Sequence, residues 1–509
     1  MKRDGACISL WQQAMPEFTP REYQSEKKSF DVIIVGGGIT GITTGLLLQK
    51  AGKSCLVAEA HNLCFGTTGG TTAHLNTLMD TPYNTVEKDF GLSGSRLLAV
   101  AVREALDLVK QQVADYQIDC GYEEKDGYLY SQNAQQTGEL EAILEATRRA
   151  GVDAEFTGSI PVPLPFEKAI VIRNQAQFHP SRYVYALARQ FEESGGVLLQ
   201  HCPVINLEEG EELTVHTGRG AFTARQLIYA THIPPGINLL HFRCAPYRSY
   251  ALAATLKEGA YPDGLAYDMY DPYHYYRTQD IDGKKYLVAG GDDHKTGHEE
   301  NTEAPFTSLE AHVRHYFPVE EIVSKWSSQY FEPTDGLPYI GHLPGHSENV
   351  YVATGYGGNG ITYSHVAALL LTGLLTTGDS PYKELFAPGR VKPVAGFSSF
   401  IKEAADVVKE FFGKRLSQEE LHAFADLAPG EGRVVKYDGE SIALYKEENG
   451  RLHAVNPVCT HAKCLVDWNR AEKSWDCPCH GSRFSPDGEV LTGPARQGLE
   501  KIDLGGASE

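Results

Sequence analysis

The chain has 509 residues, of which 42% are hydrophobic and 22% charged, a composition typical of globular domains and not of a disordered chain. At about 150 residues per domain, this length predicts roughly three or four domains. Lys and Arg total 46 and Asp and Glu total 66, giving a net charge of −20. That charge argues against a nucleic-acid-binding protein, because binding to phosphate groups needs a basic surface.

Membrane-spanning and export segments are not evident in the sequence. The longest apolar run, at residues 366–375, is about half of the ~20 residues that a membrane helix needs, so we expect a buried core helix and no membrane span. The N-terminus has basic residues but no continuous apolar stretch after them, and we therefore expect a cytoplasmic protein. Ten cysteines are too few for a disulfide scaffold, yet four of them fall within residues 459–479.

Changes of pattern divide the chain into four parts. Residues 1–30 are polar and irregular, and over 31–390 short β-branched runs alternate with helical patches, which predicts a large α/β portion. Apolar residues between Phe397 and Phe411 recur at helical spacing, which predicts an amphipathic helical connector over 391–426. Over 427–509, short strands with turn signals at Asp438-Gly439 and Asn449-Gly450 predict a small all-β domain.

A dinucleotide-binding motif begins the α/β portion. The sequence VIIVGGGITG places Gly36, Gly38 and Gly41 in G-x-G-x-x-G spacing between a buried strand and a helix. Gly36 permits the tight turn, Gly38 lets the backbone approach a pyrophosphate, and Gly41 lets helix and strand pack closely. Glu59, about 20 residues further on, is placed to accept hydrogen bonds from a ribose. A carboxylate there repels the 2′-phosphate of NADP, so NAD and FAD remain.

Three further segments resemble the glycine/D-amino acid oxidase family of flavoproteins. They are GTTGGTTAHL at 66–75, DGLPYIG at 335–341 and ATGYGGNGI at 353–361. The resemblance implies FAD as the cofactor and a Rossmann-type α/β FAD-binding subdomain, into which an α+β substrate subdomain is inserted over roughly 80–200 and 240–330. An NAD enzyme with fortuitous glycines is the alternative.

The same resemblance assigns the FAD contacts, among which a late glycine-rich turn aims a helix N-terminus at the flavin. These contacts are Gly36, Gly38, Ile39, Thr40, Gly41, Glu59, Ala60, Gly66, Thr67, Thr68, Thr72, Val204, Thr231, Gly341, Gly357, Gly358, Asn359, Gly360 and Ile361. His74 is either a covalent flavin anchor or an ordinary loop histidine.

A second cofactor motif lies near the C-terminus. Cys459-x-His461 and Cys477-x-x-His480 place one Cys and one His on each of two loops. Such a set can hold a tetrahedral zinc ion. It also matches the Rieske pattern, in which two Cys hold one iron of a [2Fe–2S] cluster and two His hold the other.

The region is similar to respiratory-type Rieske domains. That resemblance implies a disulfide between Cys464 and Cys479 that ties the two loops together.

Over nearly its whole length the chain resembles a bacterial FAD-dependent oxidoreductase of the D-amino acid oxidase superfamily, fused to a C-terminal Rieske domain. The pairing of cofactors implies hydride transfer from a substrate to FAD and release of single electrons through the cluster to an external acceptor, which is a protein, a quinone or O₂. The superfamily implies a small amine or amino-acid-like substrate. An oxidase that uses O₂ with a modulatory cluster, and a redox carrier or sensor without turnover, are the alternatives.

Candidate substrate-binding residues lie in the aromatic-rich stretch at 268–278. Arg277 is suited to clamp a carboxylate, with Tyr276 closing the pocket, and an aromatic sheet face with a surface arginine is the alternative. Arg248 is a weaker candidate. Glu332 lies near the position where amino-acid-oxidising relatives often carry an arginine, which favours a cationic amine over an α-amino acid. The motif DDH at 292–294 has no role that the sequence identifies, and a solvated turn is its plain interpretation.

Overall fold

A computed structural model of the protein describes residues 3–13, 15–23, 27–390, 427–437 and 440–504. The connector predicted over 391–426 and the turn predicted at Asp438-Gly439 lie outside the described residues. The helices are α1 (Leu10–Gln13), α2 (Ile39–Lys50), α3 (Thr67–Gly70), α4 (Tyr83–Asp115), α5 (Ala134–Ala150), α6 (Pro180–Glu193), α7 (Ala304–Tyr316), α8 (Gly360–Thr377) and α9 (Lys383–Phe386), with short 3₁₀ turns at Leu239–Phe242 and Lys257–Gly259.

Strands occur in both the large portion and the C-terminal domain. Those of the large portion are β1 (Ser29–Val35), β2 (Cys55–Ala58), β3 (His74–Leu75), β4 (Glu123–Ser131), β5 (Ala154–Thr157), β6 (Lys168–Gln177), β7 (Val197–Leu199), β8 (Val204–Glu208), β9 (Leu213–Thr217), β10 (Gly220–Tyr229), β11 (Cys244–Leu256), β12 (Leu265–Tyr267), β13 (Tyr275–Ile281), β14 (Lys284–Lys295), β15 (Val319–Pro333), β16 (Tyr339–His342) and β17 (Val350–Thr354). Those of the C-terminal domain are β18 (Gly432–Tyr437), β19 (Glu440–Lys446), β20 (Leu452–Val455), β21 (Asp467–Asn469), β22 (Ser474–Asp476), β23 (Arg483–Phe484) and β24 (Val490–Thr492).

The first sheet, which we call the dinucleotide sheet, has the strand order β16-β17-β10-β1-β2-β7, with β9 paired to β10 and β8 paired to β9. Strand β1 pairs in parallel with both β2 and β10. Its VIIV run is buried on both faces, as expected of a parallel strand covered by helices. The loops that follow β1, β2 and β10 therefore meet at one edge of the sheet, where α/β folds bind ligands.

Helix α8 packs against α2 and α4 in the core of the large portion. By length and composition it is apolar enough to cross a membrane, with a mean hydropathy of 1.2, but 61% of it is buried inside the protein. Its residues Val366, Ala367, Leu370 and Leu371 are fully buried. This agrees with the buried core helix predicted at 366–375.

The second sheet, the substrate sheet, has the order β15-β11-β14-β13-β12-β4-β6-β3, with β5 beside β6. Two separate stretches of chain build it, since β4 to β6 come from before β7 and β11 to β15 come from after β10. Helix α5 packs on β4 and β6, and α7 packs on β11 and β14. The result is the Rossmann-type α/β unit with an inserted α+β substrate unit that the sequence predicts.

The C-terminal domain consists of two antiparallel sheets, β18-β19-β20 and β21-β22-β23-β24. Trp475 and Phe484 are fully buried in its core, next to the four cysteines of the two loops. This is the small all-β domain that the strand pattern predicts.

A buried set of six charged side chains, which we call the ionic cluster, joins the N-terminal segment, the substrate sheet and the C-terminal domain. Its members are Arg3, Asp4, Arg248, Glu472, Asp476 and Arg483. Arg483 pairs with Asp4 at 3.1 Å and with Asp476 at 3.0 Å, and Arg248 lies 3.8 Å from Glu472. Three arginines balance three carboxylates, and removing one partner of such a buried set typically costs about 3–5 kcal/mol.

Candidate active site and metal centre

The glycine motif forms a tight turn between β1 and α2. Gly36 has a φ of +110°, and a Cβ on it would lie 2.5 Å from the carbonyl oxygen of Ala230. A Cβ on Gly41 would lie 2.0 Å from the carbonyl oxygen of Gly36, so helix and strand pack too closely for any side chain there. The two glycines thus have the steric roles that a dinucleotide motif requires.

Glu59 follows β2 and faces the same turn. Its carboxylate accepts hydrogen bonds from the backbone N–H of Gly37 at 2.6 Å and from that of His61 at 2.8 Å. Burial raises the pKa of Glu59, and these N–H groups oppose the rise. The carboxylate lies beside the phosphate-binding turn, where a nucleotide ribose binds in this fold.

A single cavity of about 810 Å³ runs from this turn to the substrate sheet. All of the predicted FAD contacts line it except Gly41 and Gly341. Gly41 packs behind the turn, and Gly341 lies in β16, where a Cβ would be 3.1 Å from the Pro388 ring. Gly341, which was expected to contact FAD, therefore does not line the cavity and packs next to Pro388 instead.

His74 lines the cavity between the glycine turn and the substrate sheet. Its Nδ1 lies 2.8 Å from the Tyr267 hydroxyl, and burial holds the pKa of His74 well below its usual value, so the ring is neutral. Its Nε2 is buried without a hydrogen-bond partner among the described residues. An orphaned ring nitrogen at this place fits a polar atom of a cofactor, and covalent attachment at His74 stays a prediction.

The far end of the cavity, which we call the substrate end, combines tyrosines with carboxylates. Tyr267, Tyr273, Tyr275 and Tyr330 line it together with Asp80 and Asp293. The Tyr330 hydroxyl donates to Asp293 at 3.0 Å, and the backbone N–H of Gly358 donates to Asp80 at 2.7 Å.

Burial dominates the electrostatics of these carboxyl groups. It raises the pKa of Asp80 to about 6 and that of Asp293 to about 7. Glu332 does not line the cavity, but its Oε2 would lie 3.1 Å from a Cβ on Gly357, which does. Burial, and then the charge of Asp80, raise the pKa of Glu332 to about 8. Burial thus favours the neutral form of each of these carboxyl groups, whereas a cation bound beside them would favour the ionised form.

Arg277 and Tyr276 are not placed where the sequence suggested. Arg277 is 0% exposed and donates to the carbonyl oxygens of Ala73 and Phe178, while the Tyr276 hydroxyl lies 2.6 Å from His312. Neither side chain lines the cavity. Both lie in β13, an interior strand of the substrate sheet. Their side chains make hydrogen bonds inside the protein and do not reach the substrate end.

Sequence reasoning missed two of the carboxylates at the substrate end. Asp293 belongs to the DDH motif, which was interpreted as a solvated turn, and Asp80 follows the first flavin loop without any motif. The aromatic-rich stretch did contain the relevant Tyr273 and Tyr275. The adjacent carboxylates Asp292 and Asp293 were the feature of the sequence that could have indicated an acidic site.

The two C-terminal loops have matching backbone hydrogen bonds. The N–H of Cys459 donates to the carbonyl of Cys464, and that of Cys477 donates to the carbonyl of Ser482, both at 2.8 Å. A disulfide joins Cys464 to Cys479 across the loops, as the resemblance implied. The loops therefore face each other with one Cys and one His on each.

The side-chain donors of these loops fit an iron–sulfur cluster. The His461 and His480 rings have centroids 4.9 Å apart, and the Nδ1 atoms of both are buried without a partner in the described part of the chain. The Cys459 and Cys477 thiols lie within hydrogen-bonding reach of each other, which lowers the pKa of Cys459 and raises that of Cys477. Two sulfur and two nitrogen donors are thus available from one place.

The comparisons with known proteins agree with both sites. The family described as FAD dependent oxidoreductase matches residues 31–374, and the Rieske [2Fe-2S] domain matches 419–503. YhfW of Bacillus subtilis (strain 168), whose name describes a Rieske 2Fe-2S iron-sulfur protein, is 36% identical over 493 residues, 96% of each chain. The gamma-glutamylputrescine oxidoreductase of Escherichia coli (strain K12) is 24% identical over 395 residues, 74% of this chain and 91% of its own.

Among solved structures, glycine oxidase from Geobacillus kaustophilus has the same fold, with a TM-score of 0.61 at 18% identity. That match covers 72% of this chain and 100% of the glycine oxidase chain. The chain therefore belongs to the FAD dependent oxidoreductase family, and it carries a C-terminal Rieske domain that holds a [2Fe–2S] cluster.

Proposed function

We propose that the protein is a dehydrogenase that oxidises a small cationic amine and delivers the electrons singly, through the Rieske cluster, to an external acceptor. When bound, FAD supplies the acceptor for a hydride, and the cluster supplies one-electron transfer. The side chains of the substrate end bind and orient the amine, since hydride transfer depends mainly on positioning.

The charge of the substrate end is the observation that carries this proposal. Asp80 and Asp293 line it, and Glu332 lies behind Gly357. Among the described residues that line the whole cavity, Arg496 is the only Lys or Arg, and it belongs to the Rieske domain. A substrate carboxylate would thus meet negative charge without a clamp, whereas an ammonium group would be stabilised by the carboxylates and by the faces of the tyrosines.

Asp293 is suited to bind the protonated amine and to accept its proton. A carboxyl group with a pKa of about 7 can hold an ammonium ion and also accept its proton at neutral pH. The Tyr330 hydroxyl donates to one carboxylate oxygen and so orients the other. The name of the Escherichia coli relative, a gamma-glutamylputrescine oxidoreductase, supports an amine-type donor.

Hydrogen bonds between the cavity and the cluster loops support the internal electron route. Gln329 lines the cavity, and its side-chain amide donates to the carbonyl oxygen of Gly481 at 2.9 Å. Gly481 directly follows the cluster ligand His480. The Thr67 hydroxyl, in the first flavin loop, donates to the backbone carbonyl of Gln329 at 2.9 Å. The chain Thr67, Gln329, Gly481 thus connects the two cofactor sites.

An anaerobic titration of the holoprotein tests the proposal. Diamines and monoamines are added in parallel with α-amino acids of matched length, while flavin absorbance and the low-temperature EPR signal of the cluster are recorded. We expect cationic amines to bleach the flavin and a reduced Rieske signal to follow, with little response to α-amino acids. Bleaching by amino acids alone would contradict the amine assignment. Bleaching by amines without a cluster signal would contradict the internal route. Rapid reoxidation of the bleached flavin when O₂ is then admitted, with the cluster still oxidised, would contradict it as well.

A further inference from the structure

Part of the wall of the FAD cavity comes from the Rieske domain. The cavity is lined by a short segment of that domain, which we call the cover segment, comprising Val490, Leu491, Thr492, Gly493, Ala495 and Arg496. This segment contains β24 and the residues after it. All the other residues that line the cavity lie within 31–374, the part of the chain that matches the FAD dependent oxidoreductase family, whereas the cover segment lies outside it.

The cover segment spans the dinucleotide crevice and is hydrogen-bonded to one side of it. On that side, the N–H of Gly236 donates to the carbonyl of Pro494 at 3.1 Å, and the Arg496 guanidinium donates to the carbonyl of Pro235 at 3.3 Å. On the opposite side, His61 and Val490 both line the cavity, with the His61 ring near the Val490 backbone.

These contact points lie beyond the ends of the two strands on either side of β1. His61 follows β2 and Pro235 follows β10, and these strands flank β1 with its phosphate-binding turn. The cover segment therefore bridges the crevice in which this fold binds the dinucleotide.

We propose that the Rieske domain completes the FAD site: the cover segment closes the dinucleotide crevice, and Arg496 supplies positive charge to the cofactor. The cofactor carries a negatively charged pyrophosphate, and Arg496 is the only Lys or Arg among the described cavity-lining residues of a chain with a net charge of −20. This inference concerns the cofactor and stands whether or not the substrate is an amine.

The arrangement couples FAD binding to domain docking. A ligand that binds only the docked form stabilises that form, and docking in turn raises the affinity for the ligand by the same factor. The buried ionic cluster holds the domain in place independently of the cavity, since none of its six members lines the cavity. FAD binding and the ionic cluster thus both stabilise the docked position of the Rieske domain, each through its own contacts.

FAD affinity of the full-length apoprotein tests the role of Arg496. Because Arg496 is exposed, we expect R496Q to weaken FAD binding about three- to fivefold at low ionic strength, and less at high salt. R496K should restore most of the affinity. K501Q, which removes another exposed cation of the same domain outside the cavity, should leave it unchanged. Equal FAD affinity and equal salt dependence in the wild type and in R496Q would overturn the assignment.

Hydrogen exchange tests the closure itself, with FAD as the probe. At an FAD concentration about 100 times the dissociation constant, exchange at 490–496 through undocking should slow by up to about a hundredfold. Strand β19, which lies outside the cavity, serves as the internal control and should exchange at the same rate with and without FAD. Saturation with FAD that leaves exchange at 490–496 unchanged would overturn the proposal.

Discussion

The Nε2 atom of His461, which we propose as a ligand of the cluster, lies 3.1 Å from Nδ1 of His241, a residue of the FAD domain. The Nε2 atom of His241 faces the carbonyl oxygen of Pro234 at 2.9 Å, and burial lowers the pKa of His241 to about 4, so its ring is neutral. Because the Pro234 carbonyl can only accept, we assign the single proton of His241 to Nε2, although the Asn238 amide nitrogen also lies 3.1 Å from it. The Nδ1 of His241 then accepts from the His461 Nε2–H, which also faces the carbonyl oxygen of Gly236 at 3.1 Å. The second ring nitrogen of His461, Nδ1, is then available to iron.

Replacing His241 by Phe is expected to raise the reduction potential of the cluster. The acceptor on His461 makes the ligand more electron-rich, which favours the oxidised cluster. The Gly236 carbonyl, also 3.1 Å from the His461 Nε2 atom, remains as an acceptor, so the shift is at most about 20–40 mV, the equivalent of losing a hydrogen bond worth about 0.5–1 kcal/mol in a one-electron couple. A redox titration followed by EPR measures the shift, with the exposed His315→Phe as control. A potential that falls, or that shifts equally in both variants, would contradict this expectation.

Gln329→Leu is expected to slow electron transfer between reduced flavin and the cluster. Gln329 is 1% exposed, and its amide both accepts from Thr296 at 3.2 Å and donates to Gly481. Leu has a similar volume but cannot make either bond. We expect about a tenfold lower rate after flash reduction of the flavin, which corresponds to about 1.4 kcal/mol in the barrier.

Thr296→Val is the matched control for Gln329→Leu. It removes the neighbouring hydrogen bond but keeps the one between Gln329 and Gly481. Equal rates in the two variants would show that the Gly481 contact does not matter. The potentials of both cofactors, measured in parallel, check that the driving force has not changed.

The cofactor sites could be predicted from the sequence because each depends on residues that are close together in the chain. A turn that excludes side chains requires glycine at Gly36 and Gly41, and two short loops suffice to present one Cys and one His each. Such features depend on neighbours along the chain, so spacing alone identifies them.

The substrate end and the domain interface depend on contacts that are distant in sequence. Asp293 meets Tyr330 because β14 and β15 flank β11 in the substrate sheet. Arg277 looked like a substrate clamp in a local aromatic stretch, but the fold turned it toward the carbonyls of Ala73 and Phe178. Arg483 reaches Asp4 across 479 positions of sequence. Neither spacing nor composition contains such pairings.

Asp293→Asn is expected to lower kcat/KM for a cationic amine about ten- to a hundredfold. The amide keeps the shape of the side chain and its contact with Tyr330 but removes a buried negative charge, and hydrogen bonds to charged groups contribute about 1.5–3 kcal/mol. Asp292→Asn is the matched control, since Asp292 precedes Asp293 on β14 and does not line the cavity. Steady-state kinetics of both variants provide the comparison, and equal losses would contradict a specific role for Asp293.

The pH dependence of kcat/KM follows from the same carboxyl groups. Burial raises the pKa of Asp80 to about 6, of Asp293 to about 7 and of Glu332 to about 8. Each group is neutral below its pKa and negative above it, so the attraction for an ammonium group grows as the pH rises through this range.

We therefore expect kcat/KM for a cationic amine to rise at least about tenfold from pH 6 to pH 8, until the free amine loses its own proton above about pH 9–10. In Asp293→Asn one of the three titrating groups is absent, so the rise should be smaller. A wild-type profile that is flat between pH 6 and pH 8 would mean that these carboxyl groups do not hold the substrate. A falling profile would mean that the substrate end binds an anion or a neutral molecule.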